Sequence, residues 1–559
     1  MRSSRSLIPP TVPRSLRRRR VLAPLLAAGL LVVTVGCQAQ QVQAPTDTAD
    51  RQDVTSAPIG EQTIIEGGDL VMALSAEPDR LDPTTSSSLY TRYVMQTMCE
   101  KLYDIDADGA LVPQLATELP EFSSDGLTVT IPVRTDAVFA DGTPFNADAV
   151  ATTLDRHLNL EGSSRISELG PITGISAVSE SAVEIRYAEP FAPVTAVLAD
   201  RAGMMLSPTA LAATGEAFGD SPVCVGAFKF AERVPQTSIT VEADPLYYDA
   251  ENVHLDTITY RIMTDSNIRS ANLRSGDVHV ADSISTQDVD ALMTTDGVGV
   301  LQVGSLGYQA ITVNMGNTDG IGTAPGVIDT PLASDAAVRE ALSMSVDREA
   351  LVSSVFNNWY EPACSPVSPG SPFTSDLSEE CVAYDPEASL ALLADAGVDT
   401  PYPISMNVSN NPDTLRFAQA LQASVADGGF ELSISPVEYS TLLDMQTRGD
   451  FESLQLGWSG RVDPHGNMFN FLSTGQGNNY SGYSNPDVDE LLTDAAQTTD
   501  ISDRADLYGD ATAIVQAENP IIYLYRVRSL TAYSTDIAGV ETFADGVVHL
   551  SNAAFVEAE

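Results

Sequence analysis

A chain of 559 residues, 43% of them hydrophobic, is too long for a single core and has the composition of two or three packed lobes. Its net charge of -47, with Lys101 and Lys229 as its only lysines, repels phosphate backbones and excludes nucleic acid as a partner. The same acidity reads as a solvated surface and says little about a ligand.

The first element is an export signal. Residues 1–20 hold seven arginines and no acid, and residues 21–35 form an apolar run. At ~1.5 Å per residue that run reaches ~22 Å, short of the ~30 Å of hydrocarbon a membrane span must cross. No later segment approaches a span. Thr34-Val35-Gly36-Cys37 resembles the lipobox of bacterial lipoproteins, with Thr34 where an aliphatic residue is commoner. Residues 1–37 are therefore expected to be a lipoprotein signal peptide with Cys37 as the lipidated residue. Residues 38–65 are polar and lack aromatics, which predicts a disordered tether. Four cysteines remain: Cys99, Cys224, Cys364 and Cys381. Outside the cell they suggest two disulfides among three possible pairings. Cys364–Cys381 closes the shortest loop and leaves Cys99–Cys224.

Further along, strand patterns alternate with helical ones, so the class is α/β. Residues 127–133, 181–187 and 256–262 alternate apolar and polar, as half-buried strands do. Residues 146–158 read as a helix that Asn146 or Thr143 caps, and 267–273 as another. Residues 335–346 and 387–396 are the clearest amphipathic helices; Asp385-Pro386 opens the second and Gly397 closes it. Residues 486–495 begin a helix with proline in its first turn. The Pro/Ser-rich stretch 361–378 is a long loop, pinned if Cys364 and Cys381 pair.

Several of these segments together resemble the bacterial extracellular solute-binding proteins of the oligopeptide, dipeptide and nickel class (family 5). The motifs are Leu81-Asp82-Pro83, Asp125-Gly126-Leu127 with Phe139 to Phe145, Leu273-Arg274-Ser275-Gly276-Asp277-Val278, and Val338-Arg339-Glu340-Ala341-Leu342. Asp385-Pro386-Glu387-Ala388, Leu456-Gly457-Trp458, Asp463-Pro464 and Asn479-Tyr480-Ser481-Gly482-Tyr483 complete the order. The resemblance covers nearly all of residues 66–559. It implies a two-lobed periplasmic-binding-protein type II clamshell with an extra subdomain on the larger lobe. Lobe I would comprise 66–110, 223–308 and 525–559, the subdomain 111–222, and lobe II 309–524, with crossings near 304–312 and 522–528. It also implies a monomeric, non-enzymatic, cofactor-free substrate-binding component of an ABC importer. Anchored by lipid to the outer face of the cytoplasmic membrane, it would capture peptide or another small solute and deliver it to permease subunits. A ligand sensor for a membrane receptor, or a secreted hydrolase on a binding-protein scaffold, is the alternative.

The most informative candidate site is Trp458-Ser459-Gly460-Arg461 with Asp463. A tryptophan flanked by glycines suits a cleft wall, giving a flat face to stack on and a backbone that ligand can approach. Peptide binders of this family carry an acid three residues after the tryptophan, and here Arg461 stands there. Either Asp463 supplies the acid from a shifted loop, or Arg461 grips a carboxylate, or Arg461 simply pairs with an acid of the protein. Tyr308, Tyr90, Asn479 and Tyr480 are further candidate ligand contacts. Asp104-Ile105-Asp106-Ala107-Asp108-Gly109 imitates half a calcium loop, but Leu115 stands where a bidentate Glu is required, so a hairpin turn is expected. Arg461 also spoils a nucleophile-elbow reading of Gly457-Trp458-Ser459-Gly460. No metal ligand set is visible, and His465 reads as a surface-loop histidine.

Overall fold

A computed structural model describes residues 51–557. The export signal, Cys37 and residues 38–50 lie outside the described residues.

One seven-stranded sheet runs in the order Phe228–Val234, Ser238–Ala243, Thr257–Ile262, Asp69–Leu74, Val280–Ala281, Arg528–Ser534, Val298–Gly304. Asp69–Leu74 lies at its centre, parallel to both Thr257–Ile262 and Val280–Ala281. Leu70, Met72 and Leu74 enter one core with Ile258 and Tyr260, while Ala73 packs on the other side with Ala281 and Leu530. Both faces are covered, which is why this strand reads DLVMAL rather than alternating.

A six-stranded sheet runs in the order Glu361–Pro362, Ile521–Arg526, Tyr308–Val313, Ser453–Trp458, Tyr402–Ser409, Phe430–Val437. The chain passes from the first sheet to the second between Gly304 and Tyr308. It returns between Arg526 and Arg528, with only Val527 between the strands. Arg526, 4% exposed, fixes this return by donating to the carbonyls of Gly307, Ser365 and Val367.

A third, four-stranded antiparallel sheet is formed by Glu121–Phe122, Thr128–Pro132, Ala182–Tyr187 and Ile172–Ser179, and carries its own core. Val129, Ile131, Val183 and Ile185 point inward, where helix Ala147–Asn159 covers them. That helix starts because the Asn146 side chain accepts the Ala149 amide. It buries Ala147, Val150, Leu154 and His157 at the spacing of one helical face. Buried His157 contacts Thr84 Oγ1 at 2.9 Å and ties this subdomain to the segment after Asp69–Leu74.

The tether expected over 38–65 is corrected for residues 51–65. Val54 bridges Gln302, Ser56–Ala57 pairs with Val540–Thr542, and Ile64–Ile65 pairs with Ala554–Val556. A polar segment with little core to offer is still ordered when neighbouring strand edges satisfy its backbone. Cys99 is bonded to Cys224 (Cα–Cα 4.9 Å) and Cys364 to Cys381 (4.8 Å). Residues 104–111 form the hairpin that joins Tyr103–Ile105 to Leu111–Pro113, with Gly109 at φ +77°.

Candidate functional site

Strand Ser453–Trp458 delivers Trp458 to its end, in register with Tyr308 on the neighbouring strand. Two glycines let the chain segments cross there. A Cβ on Gly307 would lie 2.0 Å from the Trp458 carbonyl, and one on Gly460, at φ +87°, would lie 2.4 Å from the Gly307 nitrogen. The turn is then stapled by Asn467. Its Oδ1 accepts from Trp458 Nε1 (2.9 Å) and from the Arg461 amide (2.8 Å), and its Nδ2 donates to the Arg461 carbonyl. Phe471 meets the Trp458 ring edge-on at 4.9 Å, and the Arg461 guanidinium lies 4.2 Å from its centroid.

Trp458 stands in a cleft between the two large sheets. Beside it is a cavity of about 60 Å³ lined by Tyr308, Ser459, Tyr439, Tyr480 and Arg201. Nearer the crossings lies a polar cavity of about 190 Å³ that includes Tyr90, Tyr439, Asp413 and Arg416. The two walls touch. Tyr90 and Tyr439 meet at 5.4 Å with perpendicular rings, Asn411 Nδ2 donates to the Thr264 carbonyl (3.2 Å), and Ser285 Oγ donates to Asp413 (3.0 Å).

Arg461 does not face open cleft. Its side chain is 11% exposed and makes a 2.5 Å ion pair with Asp200, which lies between the subdomain core residues Ala199 and Ala202, so the pair spans the cleft. Asp200 is held from its own side by Arg92 Nε at 2.7 Å, and Arg92 continues to Asp545. These guanidinia hold the Asp200 carboxyl well below its usual range against the opposing effect of burial. For Arg461 burial outweighs Asp200, with Arg92 and Arg201 adding to it, and the guanidinium is lowered to about 9.

The candidate acid Asp463 is spent elsewhere. Arg504 grips both its oxygens at 2.7 and 2.8 Å, and its Oδ1 caps the His465 amide. The reading in which Asp463 partners a ligand ammonium is therefore corrected. Asn479 is corrected too: its amide bonds the Ser473 and Tyr483 carbonyls, the Ser481 hydroxyl and the Tyr483 amide, all within its own loop. Tyr308 is 3% exposed and its hydroxyl lacks a partner; Tyr90 bonds Ser75 Oγ at 2.8 Å; Tyr480 bonds Asn478 at 3.2 Å. His465 is not a surface residue. It is 1% exposed, opens helix His465–Leu472, and packs between Phe191 and Phe469.

Sequence reasoning missed Arg201. It is 1% exposed, donates Nη1 to the Ser86 and Ser88 carbonyls at 3.3 Å, and lines the cavity beside Trp458. Burial lowers its pKa, and neighbouring Arg165 lowers it further. Arg92, Arg165, Arg201 and Arg461 thus gather at one end of the cleft against Asp200, Asp545 and Glu168. Among the described residues no three of His, Cys, Asp and Glu are grouped to hold a metal.

Residues 110–480 match the family described as bacterial extracellular solute-binding proteins, family 5 Middle. This chain belongs to that family. Its members are extracellular solute-binding proteins, and this family 5 receptor captures a small solute. It is 28% identical over 503 residues to the glutathione-binding protein GsiB of Pectobacterium atrosepticum, covering 88% of this chain and 94% of that one. The oligopeptide-binding protein AppA of Bacillus subtilis, in complex with a nonapeptide, shares the fold at TM-score 0.80 and 22% identity, covering 89% of this chain and 100% of that one. NikZ of Campylobacter jejuni, in complex with Ni(L-His), follows at TM-score 0.76 and 22% identity, covering 88% and 100%. The fold is thus the two-lobed clamshell with an extra subdomain.

The buried histidines of this family 5 protein give it an acid limit. Burial lowers His465 to about 4 and His157 to about 3, below the ordinary value of 6.5. Each is neutral in the fold and takes up its proton readily only on unfolding. Their contribution is complete above pH 6.5 and is lost as pH falls through about 4 and about 3. It amounts to about 3 kcal/mol for His465 at ~1.4 kcal/mol per pH unit. The urea midpoint is expected to fall steadily below pH 6.5, and His465→Asn is expected to flatten that fall. An identical pH profile in the variant would show that His465 titrates freely.

Proposed function

We propose that the solute this receptor captures carries an anionic group, a carboxylate, and that Arg201 holds it beside Trp458. The observation that carries the reading is the cluster of four guanidinia against three carboxylates, with Arg201 lining the cavity. Guanidinium is the side chain suited to a carboxylate, and the burial of Arg201 strengthens the attraction. Four guanidinia face three carboxylates there, and the surplus buried positive charge suits an anionic solute. Trp458, Tyr308 and Tyr480 would supply flat apolar walls, and Ser459 a hydroxyl. The lobes close over the solute, with residues 304–308 and 526–528 absorbing the rotation.

The named ligands of the relatives are glutathione, a nonapeptide and a nickel–histidine complex, and a peptide or peptide-like acid is the reading taken here. The receptor works as a single copy. Diacylated Cys37 keeps it on the outer face of the membrane. A lipid anchor suits a surface that anionic headgroups repel, and it raises the local concentration around the permease.

Mass spectrometry of protein taken from the membrane fraction tests both parts. Under native conditions a released solute with an acidic group is expected, and a solute without one would overturn the reading. Denatured protein is expected to begin at a diacylated Cys37; an unmodified chain lacking residues 1–37 would refute the anchor.

A further inference from the structure

The space enclosed beside Trp458 is about 60 Å³, far below the roughly 300–1,000 Å³ of clefts that bury drug-sized solutes. Past Tyr480 lies a second compartment of about 910 Å³. The two share Ser87, Leu443, Asn478 and Tyr480 as walls and so adjoin each other. The outer chamber is bounded on one side by subdomain residues 162–171 and 189–191, and on the other by residues 465–497. These sides are held together: the Ala192 amide donates to the Ala496 carbonyl at 2.8 Å, Gln497 Nε2 donates to Glu189 at 2.7 Å, and Phe191 meets His465 edge-on at 5.3 Å.

Two features of the chamber's lining distinguish it from the inner cavity. Ile166, Phe191, Ile321, Leu443 and Phe469 give it a largely apolar surface, and Ile166 is 49% exposed there. Its charged groups are Asp79, Glu189 and Asp444 against Arg80 alone, the reverse of the arginine excess around Arg201.

We propose that the outer chamber sorts solutes, taking an extended, apolar and uncharged or cationic portion of a molecule whose carboxylate is enclosed beside Arg201. This rests on the reading of Arg201 given above. Apolar surface removed from water in the chamber supplies affinity that the inner cavity is too small to provide. A second anion at the far end is repelled by the acids. The solute class is a peptide-like acid with its carboxylate inward and its amino end in the chamber.

Calorimetry on the full chain with three peptides that share a C-terminus tests this: Ala-Ala, Leu-Leu-Leu-Ala-Ala and Glu-Glu-Leu-Ala-Ala. The leucine extension is expected to tighten binding at least ~tenfold over Ala-Ala, and the glutamate extension to forfeit that gain. Thr493→Trp, which narrows the chamber, is expected to weaken the leucine peptide about tenfold and leave Ala-Ala unchanged. Equal affinity for all three peptides, or equal loss for the long and short ones in Thr493→Trp, overturns the chamber's role while the Arg201 reading stands. Failure of every peptide to bind wild-type protein overturns the Arg201 reading, and this proposal with it.

Discussion

Replacing Arg201 by Gln is expected to abolish capture of acidic solutes while leaving the empty receptor as stable as before. Truncating one partner of a buried charge pair costs about 2–5 kcal/mol, or roughly 30- to 4,000-fold in affinity. The empty protein escapes that penalty because Arg201 is held at a disadvantage there. Burial and Arg165 both disfavour its charge, and its two 3.3 Å contacts to the Ser86 and Ser88 carbonyls are long. Glutamine can keep one of those donors. Titration calorimetry and urea denaturation, run on the same preparation, separate the two effects. A lowered urea midpoint with unchanged affinity would make Arg201 a structural residue.

Arg461→Glu is expected to weaken every solute, acidic or not. The substitution sets a carboxylate against Asp200 inside the cleft, and breaking a buried pair in this way costs on the order of 3–5 kcal/mol. Because Asp200 and Arg461 come from opposite sides, the cost falls on the state in which the sides meet. Affinity is expected to fall at least ~100-fold, and small-angle scattering to report a larger radius of gyration with solute present. The exchange Asp200→Arg with Arg461→Asp is expected to restore part of the loss. Indifference to solute charge distinguishes this residue from Arg201. Selective loss of acidic solutes in Arg461→Glu would return Arg461 to the ligand.

Much of the fold could be read locally. Asp385 caps helix Pro386–Asp395 through the Ala388 amide, with Pro386 in its first turn, and those signals lie next to one another in sequence. Strands Thr128–Pro132, Ala182–Tyr187 and Thr257–Ile262 have one face more buried than the other, so their alternation was visible. Asp69–Leu74 shows no such period because both its faces are covered. Residues 51–65 were misjudged because composition measures what a segment can bury alone. Their order comes from backbone pairing with strands at the far end of the chain.

The site was legible only in part. Gly457-Trp458-Ser459-Gly460 announced itself, since glycines at a forced crossing leave a sequence trace. Arg201 and Asp200 sit in a short turn after residues 194–199 with no motif around them, and only the tertiary fold turns them toward Trp458. Asp463 misled for the same reason: beside the tryptophan it looks free, yet Arg504 reaches it from helix Ile501–Glu518.

One titration bears most directly on the claim that this receptor reads a carboxylate: a peptide that binds wild-type protein is compared with the same peptide amidated at its C-terminus. The arrangement around Arg201 predicts that amidation weakens binding at least ~30-fold, and that the difference disappears in Arg201→Gln. Equal affinity of acid and amide for the wild-type protein would contradict it.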